Sequence, residues 1–386
     1  MQDNREKLPT VLGLAVRLPG VSEEAVSDSM AELKELLKTL GADMPEYLVQ
    51  ALPRPSPKSY FGSGKLEEAV KLAEAIEAEY IVTDDELSAV QLRNIEELTG
   101  LPVKDRTSII LDIFANHAET KEGKLQVELA MLEYRLPRLI GKWTHLDRQR
   151  GGIGLKGSGE TRLETDRRLI VSQIRKIQEQ LAKTERVRNE QGKKRRALFV
   201  PLVSLAGYTN AGKSTLLNAL AGSSVEIKDA LFTTLDTTSR RVYLGDRSYC
   251  ILSDTVGFIS KLPHSLIKAF RATLEGVRES DLLLLVADAS NPAFREHLLT
   301  VERVLSEIGA SNHKRIYVFN KIDKGLAVPE HTLRECYPNS VFISAAQKIG
   351  LDTLIEKISE FKETLLEKTR YPSNEKSLKN DNSESF

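Results

Sequence analysis

The stretch Leu198–Ala206 reads as a buried apolar strand. It delivers the chain directly into Gly207-Tyr208-Thr209-Asn210-Ala211-Gly212-Lys213-Ser214, ahead of a helical run, Ser214–Leu220. Strand, glycine-rich loop and helix in immediate succession restrict the fold more than any other part of the sequence. Backbone N–H groups of such a loop and the N-terminus of the following helix converge where phosphate oxygens belong, which places the loop in an α/β domain. There Lys213 reaches the β- and γ-oxygens and the Ser214 hydroxyl faces Mg²⁺, with Thr215 next to it. By itself the string is only suggestive.

Three further strings follow in the order such a domain requires. Asp254-Thr255-Val256-Gly257 ends the expected strand Tyr249–Ser253: Asp254 is placed to hold Mg²⁺ through water, and the Gly257 N–H to bond a γ-phosphate that a diphosphate lacks. Leu282–Ala287 and Ile316–Phe319 read as two more buried strands, the second ending in Asn320-Lys321-Ile322-Asp323. A carboxylate at Asp323 accepts from guanine N1–H and N2–H, an edge adenine does not present, so a buried Asp323 would be left unpaired by ATP. Ser344-Ala345-Ala346, after the expected strand Val341–Ile343, lies where it would meet the same base. Together the strings point to GTP and GDP as ligands and to GTP hydrolysis.

Between the first two strings, Leu231-Phe232-Thr233-Thr234-Leu235-Asp236-Thr237-Thr238 sits where a switch belongs, and Thr234 rather than Thr233 is expected to close over γ-phosphate and Mg²⁺ directly. The candidate catalytic groups are thus Lys213, Thr234 and Gly257. The position after Gly257, where some GTPases carry a water-orienting glutamine, is Phe258, so slow hydrolysis by the chain alone is expected, unless a side chain such as His264 takes the water. Asn210 has two readings, a residue that shapes the loop and one that helps hold K⁺ near the β–γ bridge.

The remainder of the chain carries an uneven charge. Lys/Arg and Asp/Glu are equal at 55 each overall, yet residues 1–137 hold 15 against 25 and residues 138–196 hold 17 against 7. A basic middle segment, with Lys193-Lys194-Arg195-Arg196 at its end, suggests contact with a polyanion such as RNA rather than only a solvated surface. Two distant cysteines, Cys250 and Cys336, indicate neither a disulfide framework nor a zinc site, and neither a leader nor a membrane span is expected. A cytoplasmic location and a monomer are expected.

Four segments are expected: a small α/β domain over residues 1–118, a basic helical hairpin over 119–196, the nucleotide-binding domain over 197–368 and a polar, disordered tail over 369–386. In the first, strands at Val11–Val16, Tyr47–Leu52, Tyr80–Val82 and near Val103 alternate with helices over 22–40, Lys65–Glu79, Glu86–Thr99 and Ser108–His117, which implies a small parallel sheet. Phe61-Gly62-Ser63-Gly64-Lys65 resembles a phosphate loop but lacks the spacing, and a helix-entry turn is the better reading. In the second, Leu125, Leu129, Leu132, Leu136 and Leu139 share one helical face and Leu163, Ile170, Ile174, Ile177 and Leu181 another. Between them Arg148, Arg150 and Lys156 sit among five glycines.

With these residues in hand the chain resembles the HflX family of ribosome-associated GTPases over nearly its whole length. The resemblance rests on Gly62-Ser63-Gly64-Lys65-Leu66-Glu67-Glu68, on Gly151-Gly152-Ile153-Gly154 through Gly159-Glu160-Thr161-Arg162-Leu163-Glu164-Thr165-Asp166-Arg167-Arg168, and on the GTPase strings with Phe258. It implies docking on the large (50S) ribosomal subunit, contact with ribosomal RNA near the peptidyl-transferase region, and dissociation of stalled or idle 70S ribosomes under stress. Lys156-Gly157-Ser158-Gly159 stands where Arg-Gly-Pro-Gly is usual, and Thr233 and Thr237 stand for the commoner Ala and Pro. A protein that remodels structured RNA with nucleotide as a switch is the alternative. A small-molecule-modifying enzyme with a regulatory GTPase module finds no second catalytic constellation, the six histidines being scattered.

Overall fold

The computed structural model describes residues 8–139, 158–198, 200–222, 231–232, 238–245, 248–263, 266 and 276–370. The chain divides into two compact units. Met1–Val187 forms the first together with Lys228–Asp236 and Val256–Glu275; Arg188–Ile227, Thr237–Thr255 and Gly276–Phe386 form the second.

In the first unit β1 (Thr10–Arg17), β2 (Asp43–Ala51), β3 (Tyr80–Thr83) and β4 (Val103–Asp105) make an all-parallel sheet in the order β2-β1-β3-β4. Helices α1 (Glu23–Thr39), α2 (Ser63–Ala75), α3 (Ala89–Thr99) and α4 (Arg106–His117) connect and cover it. Val11, Leu12 and Leu14 are all buried, as a strand covered on both faces requires.

Local capping sets where the helices begin. The Ser88 hydroxyl accepts from Gln91 N–H while the Gln91 side chain accepts from Ser88 N–H, so α3 starts at Ala89 rather than at the expected Glu86. Asp105 caps α4 in the same way, starting it two residues earlier than expected. Gly62 opens α2 and its N–H bonds the Gln50 side chain at 2.9 Å, so the Phe61–Lys65 string is a helix entry.

Helices α5 (Lys121–Arg135) and α6 (Ser158–Ala197) follow. They meet through Leu129, Leu132 and Ile177, flanked by Leu125, Ile170, Ile174 and Leu181. Leu136 falls in a short 3₁₀ turn after α5, Leu136–Arg138, and Leu139 lies just beyond it, both half-buried. The glycine-rich stretch with Arg148, Arg150 and Lys156, and the side chain of Leu163, lie outside the described residues.

The first unit also holds a buried charge cluster. Asp84 and Arg106 are each 1% exposed and pair at 2.7 Å, and Glu32 also pairs with Arg106. Lys261 Nζ reaches Asp84 at 2.5 Å and Asp85 at 2.6 Å, and Ser260 donates to Glu32 at 2.6 Å. Burial works against the Asp84 carboxylate, but Arg106 and Lys261 outweigh it and hold its pKa below the ordinary value.

The second unit is built on a six-stranded sheet in the order β10-β9-β8-β5-β7-β6, where β6 alone runs antiparallel. Its strands are β5 (Leu202–Gly207), β6 (Ser239–Gly245), β7 (Ser248–Ser253), β8 (Leu282–Asp288), β9 (Arg315–Asn320) and β10 (Ser340–Phe342). The helices are α7 (Lys213–Ala221), α8 (Phe294–Glu307), α9 (Glu330–Cys336) and α10 (Leu351–Arg370). The expected strand at Leu198 starts only at Leu202, because α6 runs on to Ala197 and Pro201 has no N–H to give a ladder. Among the described residues no helix is long and apolar enough to cross a membrane.

Candidate nucleotide-binding site

The carboxyl ends of β5, β8 and β9 open side by side, and the sequence strings emerge from them. Gly207 ends β5, where a Cβ would collide with the Val286 carbonyl oxygen of β8. Gly212 takes φ +90°, and a Cβ there would strike the Asn320 side chain. Both glycines are therefore required by close approach, whatever the loop holds.

Asn320 explains that approach. Its Nδ2 donates to the Ala211 carbonyl at 2.9 Å, and its Oδ1 accepts from the Ala345 N–H at 3.0 Å. One buried carboxamide thus ties the phosphate loop to the Ser344-Ala345 loop, from positions 109 and 25 residues away in sequence. Ser344 and Ile349 close that second loop with reciprocal backbone bonds at 3.0 Å, presenting the buried Ala345 and the exposed Ala346.

Lys213 opens α7 with a buried ammonium. Its Nζ donates to the Tyr208 carbonyl at 2.8 Å and the Gly207 carbonyl at 3.1 Å. Burial pushes its pKa down to about 8; Asp254 partly offsets this and Lys321 adds to it. Ser214 donates to the Asp254 carboxylate at 2.7 Å, whose other oxygen accepts the Thr255 N–H at 2.9 Å, and the Thr255 hydroxyl bonds the Leu205 carbonyl at 2.6 Å. The expected Mg²⁺ pair, Ser214 and Asp254, is therefore brought together. Hydroxyl and carboxylate are the hard oxygen donors Mg²⁺ prefers, so the residues fit the ion. Thr209 is buried, Thr215 half-buried and Asn210 exposed at φ +58°.

Lys321 also adopts a left-handed backbone, at φ +64°, and its Nζ pairs with Asp288 at 2.8 Å across the register-matched ends of β8 and β9. Burial raises the Asp288 pKa, but the bonds from Lys321 and Ser290 outweigh it and the net shift is downward. Asp323 departs from expectation. Its side chain is exposed, not buried, because it sits in a one-turn 3₁₀ helix, Ile322–Lys324, beyond the end of β9.

The remaining expected residues fall in the first unit or outside the described residues. Val256, Gly257, Phe258 and Ile259 are buried there, and Phe258, 2% exposed, is a packed side chain. Phe232, at φ +58°, sets its ring edge-on to Phe114 with centroids 4.7 Å apart. Thr233, Thr234 and His264 are outside the described residues.

Two residues that the strings did not indicate join the site. Asp288 was legible only as the polar residue ending an apolar run. His297 on α8 stacks on Tyr208, and its signal was helical spacing: it lies three residues after the buried Phe294 and one before the buried Leu298.

A phosphate loop after a central parallel strand, a Ser–Asp pair and an Asn-Lys-x-Asp string at the next strand end define a P-loop GTPase. Comparison with known proteins agrees. Family profiles described as GTP-binding GTPase N-terminal, GTP-binding GTPase Middle Region and 50S ribosome-binding GTPase match residues 27–115, 117–195 and 202–321. The GTPase HflX of Caldanaerobacter subterraneus is 46% identical over 94% of this chain and 84% of its own length, and that of Escherichia coli K12 is 43% identical over 86% and 79%. The chain belongs to the HflX family of GTPases. Among solved structures, a GTP-binding protein from Sulfolobus solfataricus in complex with GDP, 24% identical, covers 93% of this chain and 100% of its own with a TM-score of 0.47, too loose a likeness to assign any residue.

Proposed function

We propose that this GTPase works on the ribosome: it associates with the large subunit and the 70S particle through its basic helical segment and separates stalled or idle ribosomes in the cytoplasm. The exposed cations of α6 carry this reading. Arg167, Arg168, Arg175, Lys176, Lys183, Arg186 and Lys193 all face solvent along one long helix, in a segment with an excess of 10 positive charges (17 against 7). Such a row suits a phosphate backbone. The family profile that matches the GTPase domain, described as a 50S ribosome-binding GTPase, supports the choice of polyanion.

At the nucleotide site, the proposed roles are these. Loop residues Gly207 to Thr215 surround the phosphates, and Lys213 turns from the Gly207 and Tyr208 carbonyls to the β- and γ-oxygens. Ser214 and Asp254 hold Mg²⁺, which when bound neutralises charge on those oxygens, with Thr234 as a further donor and the Gly257 N–H as γ-phosphate sensor. Lys321, Asp323 and the Ser344–Ala346 loop meet guanine, whose own ring would cover the exposed Asp323. Left-handed backbone at Asn210 accounts for an asparagine without K⁺; hydrolysis rates in KCl and NaCl at equal ionic strength decide whether it also serves the cation.

Co-sedimentation with 50S and 70S particles, using a GTP analogue and GDP, tests the ribosomal reading. Binding should favour the triphosphate form, and changing Arg167, Arg168, Arg175 and Lys176 to Gln should weaken it and flatten its dependence on salt. Equal sedimentation of this variant and the wild type at physiological salt would reduce α6 to a solvated surface.

A further inference from the structure

The phosphate loop is gripped from α8 by an aromatic stack. The His297 and Tyr208 rings lie nearly parallel, 9° apart, with centroids separated by 3.8 Å. Tyr208 is buried, and its main-chain carbonyl accepts both Lys213 Nζ at 2.8 Å and the Ala211 N–H at 3.3 Å. A histidine ring on α8 thus stacks on the residue whose carbonyl accepts from both Lys213 and the Ala211 N–H within the phosphate loop.

The surroundings make that grip consequential. Loop and helix border a partly open cavity of about 80 Å³ that Tyr208 and His297 themselves help line, together with Thr209, Asn210, Asp288 and Asn291, so neighbouring loop residues are not packed solid against α8. Two residues after Tyr208 the backbone takes the left-handed turn at Asn210. A loop that combines a turn of this kind with a cavity along one flank holds its place only as well as its anchors. An aliphatic side chain at 297 would fill volume, whereas a flat ring also fixes the tilt of the ring it covers.

We propose that His297 is a positioning residue for GTP hydrolysis, acting through its stack on Tyr208 to hold the phosphate loop in register for the transition state. His297 touches neither phosphate nor Mg²⁺ in this scheme; its effect passes through Tyr208. Phosphoryl transfer depends on placement within a fraction of an ångström, so a loosened loop should cost turnover more than ground-state binding.

The test uses the full chain with His297→Ala, His297→Leu and His297→Phe, each checked for an unchanged circular dichroism spectrum. Steady-state hydrolysis of Mg²⁺–GTP should show kcat lowered by about three- to tenfold in His297→Ala, the range an aromatic stack can supply, with KM changed less than kcat. His297→Phe, which retains the stack, should restore kcat, and His297→Leu, which fills the space without one, should not. A wild-type kcat in His297→Ala, a loss confined to KM, or equal rescue by Leu and Phe would each overturn the proposal.

Discussion

Replacing Asn320 should damage the nucleotide site far beyond the few atoms removed. In Asn320→Ala the Ala211 carbonyl and the Ala345 N–H both lose their partner, on residues only 2% and 3% exposed. A buried polar group left unsatisfied costs about 1–3 kcal/mol, so the two together cost about 2–6 kcal/mol. That is a large share of the roughly 5–15 kcal/mol by which a domain is stable. Asn320→Asp separates this account from mere loss of volume. It keeps the shape and the acceptor for Ala345, yet sets a carboxylate oxygen against the Ala211 carbonyl oxygen, turning attraction into repulsion. The isosteric change should therefore be at least as harmful as the truncation. Thermal melting should fall by roughly 4–24 °C in both, at about 2–4 °C per kcal/mol for a unit of this size, and GDP titration should show markedly weaker binding. An Asn320→Asp protein that melts within about a degree of wild type and binds GDP normally would refute the brace.

Further outcomes follow from neighbouring groups. Asp323→Asn should move preference from guanine toward xanthine nucleotides, since an amide meets the complementary edge; competition binding with GTP and XTP reads this, and an unshifted preference removes Asp323 from base recognition. Burial holds Lys213 near pKa 8, below its ordinary 10.5, so its charged form is disfavoured in the free protein. The cost of that charge is present below pH 8 and relieved as pH rises toward 10.5, while phosphate binding requires the charge. GDP affinity should accordingly fall by about tenfold between pH 7 and 9, and a flat profile would contradict the burial argument. Asp84 has the opposite consequence: its depressed pKa contributes stability above the ordinary carboxylate value that disappears as pH falls through the lower folded value, so Asp84→Asn should flatten the acid limb of an unfolding profile followed by far-UV circular dichroism. With a packed Phe258 and no water-orienting glutamine after Gly257, single-turnover hydrolysis should be slow for the chain alone and accelerate with 50S subunits; rapid hydrolysis without them would show that the switch needs no partner.

The parts of this molecule that were legible in its sequence are those whose geometry is local. Gly207 and Gly212 sit where a side chain is forbidden, Ser214 and Asp254 meet as their strings imply, and the strand ends at Ser253 and Asn320 follow from apolar runs that stop abruptly. What was illegible depends on distant partners. Nothing around Asn320 announces that its carboxamide is occupied by Ala211 and Ala345, because those bonds exist only once β5, β9 and the loop after β10 are assembled. His297 was one histidine among six until α8 laid it on Tyr208. Its position after a buried strand implies a buried carboxylate at Asp323, but a single 3₁₀ turn is enough to carry it out to solvent.

Val256–Glu275 and Lys228–Asp236 interrupt the GTPase sequence, yet they belong to the first unit by their packing. Phe232 rests on Phe114, Lys261 completes the charge of Asp84 and Asp85, and Ser260 bonds Glu32. The gene therefore cannot be divided at the place where the sequence suggests a joint. A fragment starting at residue 197 would carry Phe232, Ser260 and Lys261 without Phe114, Glu32, Asp84 and Asp85, which they meet in the first unit. A fragment of the first 187 residues would keep Asp84 and Asp85 but surrender the lysine that pairs with both. A truncated variant meant to keep the first unit whole would have to retain Lys228–Asp236 and Val256–Glu275 together with the first 187 residues.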